Sequence, residues 1–126
     1  VGDFLYKGAP KNIGTYMQRL TIIHNVSCVY IKYAMISKKA YEEVNGFDEK
    51  EKGIFASIDF CLKQLEKKKQ VILNPIIAIK IKELSDVEKI DEQEKFIDKW
   101  KDQYKKGDIY FSPNLSKADT GLSFNI

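Results

Sequence analysis

From Cys28 to Ile36 the chain is almost continuously apolar and β-favouring, with only Lys32 interrupting Val29, Tyr30, Ile31, Tyr33, Ala34, Met35 and Ile36. Such a run predicts a strand covered on both faces, with Lys32 snorkelling to an edge. Ser37 then offers an N-cap, and Ala40, Tyr41 and Val44 give one face to a short helix that Asn45-Gly46 should end. A second helix is predicted to start at Ser57, with Ile58, Cys61, Leu62 and Leu65 at the spacing of a core-facing stripe. Asp59 falls in its expected first turn and Lys67-Lys68-Lys69 at its end, each sign complementing the helix dipole. Val71-Ile72-Leu73 reads as a buried strand closed by Asn74-Pro75, and the alternation of Ile77, Ile79 and Ile81 as a half-exposed one. Ser85-x-x-Glu88 matches a capping box for a third helix, whose packing face is Ile90, Phe96, Ile97, Trp100 and Tyr104 and whose end is Lys105-Lys106-Gly107. Residues 1–24, punctuated by Gly2, Gly8, Pro10, Asn12 and Gly14, read as an irregular arm.

These elements describe one compact α/β domain over 25–126, a mixed sheet with flanking helices that is short of strands. At 126 residues the chain is long enough for a real core. With 44% hydrophobic and 31% charged residues it fits neither a disordered tail nor a membrane span. The opening Val1-Gly2-Asp3 has no starting methionine and no targeting logic, so the expectation is a piece of a longer protein.

Charge narrows the chemistry further. The net charge is only +3, and Arg19 is the single arginine. That is too few guanidinium groups for the bidentate contacts of nucleic-acid readers, so nucleic acid is not an expected partner. His24 is the only histidine, no Cys-x-x-Cys occurs, and no metal site is expected. Cys28 and Cys61 both lie in apolar stretches and read as buried free thiols in a reducing compartment rather than as a bridge. No glycine-rich phosphate loop is present. Taken alone, Asp59 reads as an acid stabilising a helix start.

An ordered series of short motifs goes beyond this. Asn25-Val26-Ser27-Cys28-Val29, Met35-Ile36, and the run from Tyr41 through Asn45-Gly46-Phe47-Asp48-Glu49 are followed by Ser57-Ile58-Asp59-Phe60-Cys61-Leu62-Lys63 and Asn74-Pro75. Lys99-Trp100, Gly107-Asp108, Tyr110-Phe111 and Pro113-Asn114-Leu115-Ser116 close the series. Over residues 25–126 this resembles the C-terminal half of family-two glycosyltransferases. The resemblance implies a GT-A fold, of which this chain would be the acceptor-side part. It also implies inverting transfer of a sugar from a nucleotide-sugar donor to a carbohydrate acceptor, as in polysaccharide biosynthesis. A divalent metal, magnesium or manganese, would be held by an upstream Asp-x-Asp motif, and no cofactor would belong to these residues themselves. The implied partners are the upstream half of the parent chain and a carbohydrate acceptor. The implied location is cytoplasmic, with the inner face of the cell membrane as a variant of it.

The active-site positions depart from the family pattern. Aligned on Asp59-Phe60-Cys61-Leu62, the family's catalytic base falls on Ser57, and Asp59 matches the second acid. A serine has no titrating carboxylate with which to take the acceptor proton. Helical spacing also turns Asp59 about 200° away from Ser57, so its expected role is to accept backbone N–H bonds at the helix start. Tyr30-Ile31-Lys32 replaces small residues, and Ile81-Lys82-Glu83 replaces a histidine-bearing stretch. The candidate site residues are therefore Asp59 as the remaining catalytic carboxylate, Ser57 in the base position, and Tyr30, Lys32, Lys82 and Glu83 on the acceptor side. The expected function is that of a glycosyltransferase-like fragment inactive by itself. The alternative is a non-catalytic module that binds carbohydrate or a protein partner on the same scaffold.

Overall fold

The computed structural model describes residues 18–77 and 93–115, with the backbone alone at 93 and 94. Its elements are strand β1 (His24–Asn25), helix α1 (Lys38–Glu43), helix α2 (Gly53–Glu66), strand β2 (Ile72–Leu73), helix α3 (Gln93–Lys99) and helix α4 (Lys101–Lys106). β1 and β2 pair antiparallel, His24 opposite Leu73 and Asn25 opposite Ile72. The class is thus mixed, helices with a small two-stranded sheet. No helix among the described residues is long and apolar enough to cross a membrane.

The core forms where α2 meets α3 and α4. Ile58, Leu62, Phe96 and Trp100 are buried together, with Ile54, Phe55, Leu65 and Tyr104 packed around them. The stripe at Ile58, Cys61 and Leu62 is buried, as the spacing predicts, and Leu65 is half-buried at its edge. A second, aromatic contact seats the segment after α1 on α2. Phe47 lies 4.8 Å from Phe60 and 5.2 Å from Tyr41, centroid to centroid. Gln64 Nε2 adds a 2.7 Å bond to the Ala40 carbonyl.

The short helix is built as its sequence predicts. Ser37 Oγ accepts the Ala40 N–H at 3.2 Å, satisfying one of the free donors at a helix start. At its end Asn45 and Gly46 both take positive φ, 58° and 70°. Gly46 is required there twice over: the φ disfavours a side chain, and a Cβ would come within 2.6 Å of the Tyr41 ring.

Three expectations are corrected. Residues 28–36 do not form a covered strand; they carry a 3-10 turn at Ile31–Tyr33, and Tyr33 and Met35 are exposed. A strand needs a ladder partner, and among the described residues β2 pairs with β1 instead. The Ile31 N–H goes to Ser57 Oγ, at 3.3 Å. Second, α2 begins at Gly53 rather than Ser57. Ile54 and Phe55 reach the core only if the helix starts a turn earlier, and this packing outweighs serine's preference for a cap. Third, the last helix is interrupted at Trp100, although the Trp100 and Tyr104 N–H groups still bond back to Phe96 and Trp100.

Gly107 ends α4 at a φ of 75°, as expected. Ile72, on the strand read as buried, is half exposed, and it shares that exposure with Ile22, Ile23, Ile76 and Ile77. Most of the arm, the alternation beyond Ile77, the Ser85–Glu88 capping box and Ile90 lie outside the described residues, as do Lys82 and Glu83. His24, the last residue of the arm, belongs to β1.

Candidate functional site

Helix α2 carries the two residues expected in the catalytic positions, and both are fully buried, Ser57 and Asp59 alike at 0% exposure. They face different neighbours, because residues two apart on a helix point to nearly opposite sides.

Ser57 faces the segment that precedes α1. Its Oγ accepts the Ile31 N–H and lies 3.5 Å from the Gly53 carbonyl, a bond back to the preceding turn. Tyr30 and Lys32 flank that amide. The Tyr30 ring centroid is 5.8 Å from that of Tyr33, and Lys32 Nζ sits 5.7 Å from the Tyr30 centroid. Together these residues line an open groove of about 1280 Å³, whose walls also include Cys28, Asp108 and Tyr110. Three of the residues expected at the site, Ser57, Tyr30 and Lys32, are therefore brought together.

Asp59 is not among them. It points to the other side of α2, where Oδ1 accepts the Trp100 indole N–H at 3.0 Å and lies 2.8 Å from Lys99 Nζ. Oδ2 lies 2.6 Å from Lys63 Nζ, one helical turn on. The expectation that Asp59 stabilises a helix start is thus corrected. The helix begins earlier, so Asp59 sits mid-helix, where the backbone N–H groups are already taken.

The Gly-Phe-Asp turn completes this cluster. Asp48 Oδ2 is 2.8 Å and Glu51 Oε1 3.2 Å from the same Lys99 ammonium. Burial opposes the charge on Lys99, but the bonds from Asp48, Asp59 and Glu51 outweigh it and hold the pKa above that of an ordinary lysine. The Lys99 ammonium and the Lys50 N–H in turn hold the Asp48 carboxyl down at about 2. Oxygens of Asp48, Glu51 and Asp59 converge within 4.8 Å, a spacing that suits a metal ion. The ammonium already occupies the point of convergence, so the donor set as arranged does not fit a metal, and no step is assigned to one here.

The carboxylate that does line the groove is Asp108, the one acid among its described residues. Its Oδ1 accepts a short hydrogen bond from Ser27 Oγ and the Tyr110 N–H at 2.9 Å. In the sequence Gly107-Asp108 stands out only as part of the closing segment, and no local spacing marks Asp108. Its partner Ser27 is 81 positions away, so only the folded chain brings the two together. Lys63 was legible in principle from its i, i+4 spacing to Asp59. Glu51 and Lys99 were not, since they meet across 48 positions. No family model, curated protein or solved structure matches this chain.

Proposed function

We propose that the chain is the acceptor-side, C-terminal part of a glycosyltransferase-like protein that keeps the scaffold and lacks the general base. The observation that carries this reading is the division of labour on α2. Ser57, in the base position, lies at the groove but has no carboxylate, and it is tied to backbone at Ile31 and Gly53. Asp59, the acid retained from the motif, faces away from the groove and is neutralised by Lys63 and Lys99. A general base must reach the proton it takes, either directly or through one water. Ser57 is at the groove without a carboxylate to take the proton, and Asp59 has the carboxylate without the reach.

The alternative, a non-catalytic carbohydrate-binding module, is favoured by the rest of the groove. Tyr30, Tyr33 and Tyr110 offer ring faces, and Lys32 and Asp108 offer polar groups, which is the composition that grips a sugar's apolar face and its hydroxyls. The two readings share the groove and differ in turnover.

The test assays transfer from UDP-sugars with manganese to carbohydrate acceptors by the full protein containing these residues. Wild type, Ser57→Asp, Asp59→Asn and Asp108→Asn are compared. General-base assistance is worth roughly 10²–10⁴ in rate, so its absence is readable against an intact enzyme. The expected outcome is little or no wild-type transfer, with Ser57→Asp equal or higher. Robust transfer abolished by Asp59→Asn with the fold intact would make Asp59 the base and overturn the proposal. Loss confined to Asp108→Asn would move the base to the groove wall and overturn it equally. Acceptor binding without transfer, measured by calorimetry, selects the module.

A further inference from the structure

Cys28 and Cys61 are separated by 33 positions and belong to different parts of the fold, the segment after β1 and the middle of α2. The structure nevertheless puts both thiols on one acceptor: Cys28 Sγ is 3.5 Å and Cys61 Sγ 3.7 Å from the Val29 carbonyl oxygen. Both cysteines are reduced and both line the groove, Cys61 buried and Cys28 half-buried. A pair of structural core thiols would need neither a shared acceptor nor a wall open to solvent.

From this geometry we infer that Cys28 and Cys61 form a redox-active dithiol, which a small disulfide such as oxidised glutathione converts to an intramolecular bridge. Cys28, the more accessible sulfur, attacks the external disulfide; one small thiol leaves with the Cys28 proton, and a mixed disulfide stays on Cys28. Cys61 then attacks Cys28 Sγ, and the second small thiol departs with the Cys61 proton. Two electrons pass from the protein dithiol to the external disulfide, which is reduced to two thiols. The neighbouring Cys28 lowers the Cys61 pKa and favours the thiolate the second step requires, whereas Cys61 and burial raise Cys28, so the first attack is the slow step.

The bridge would staple the Tyr30–Lys32 segment to α2 and so lock the groove wall beside Ser57 in place. This holds whether or not the groove binds carbohydrate, because it depends only on the two sulfurs and their access.

The experiment equilibrates the folded chain in glutathione buffers of increasing oxidised fraction, quenches with acid and alkylates the remaining thiols. Mass spectrometry is expected to show a monomer lighter by about 2 Da with no alkylated cysteine. Tryptic digestion should join residues 20–32 to residues 53–63, and Cys28→Ser should abolish that linked peptide. The wild-type digest stands by itself if the variant folds poorly. The inference is overturned if both thiols remain alkylatable in the most oxidising buffer while the far-ultraviolet circular dichroism stays native. It is equally overturned if the product stops as a glutathione adduct on Cys28, if the bridge is intermolecular, or if it forms only in urea.

Discussion

The two sides of α2 are made from the same stretch of sequence and do opposite work. On the side of α3 and α4, Ile58 and Leu62 pack against Phe96 and Trp100, and the buried carboxylate of Asp59 is matched by two ammonium groups and an indole. On the side of the groove, Ser57, Cys61 and Gln64 meet backbone: the Ile31 amide, the Val29 carbonyl and, in α1, the Ala40 carbonyl. The first side is a closed arrangement in which charge is met by charge. The second is an open wall of small polar contacts. A buried acid can therefore be held in a helix by packing and by counter-charges that the scaffold supplies.

Variants on the two sides should separate them cleanly. The largest loss is expected from Phe96→Ala, about 3–5 kcal/mol, because Phe96 is 1% exposed at the centre of the core. Urea unfolding checks this, and a loss below about 1 kcal/mol would mean that the α2–α3 contact is not the core. Next is Asp59→Ala, about 3 kcal/mol, since it strands the Trp100 indole and leaves two lysines without their buried partner. If Asp59 served the groove instead, the same change would alter ligand binding and leave stability nearly untouched.

Ser57→Ala should cost only about 1 kcal/mol, the value of one hydrogen bond to the Ile31 amide. Amide hydrogen exchange at Ile31 should quicken in that variant while exchange at Phe96 does not change.

The smallest effect is electrostatic. The Asp48 carboxyl titrates lower in the folded chain, at about 2, than in the unfolded one. Its contribution is present above the unfolded value near 4 and is lost as pH falls through about 2. Lys99 runs the other way: its folded pKa is raised, so its share is complete below the unfolded value and fades as pH rises through the folded one. Asp48→Asn should flatten the acid limb of a stability–pH curve, and salt should weaken the difference, because the pair is partly exposed. An unchanged acid limb in that variant would detach Asp48 from the cluster.

What sequence alone determined here is local. Ser37 and Asn45-Gly46 mark the ends of a helix because a cap and a positive φ are demands that only a few residue types meet. The stripe Ile58, Cys61, Leu62 is legible because helical periodicity is written in the chain itself. Tertiary structure decided the rest. It moved the start of α2 back to Gly53, since burying Ile54 and Phe55 is worth more than a serine cap. It denied residues 28–36 a strand, since a strand exists only with a partner and β2 pairs with β1. It gave Asp59 its counter-ions, since Lys99 and Trp100 reach it across some 40 positions that no local pattern connects. And it set two thiols on one carbonyl, which spacing in the chain had left as unrelated core residues.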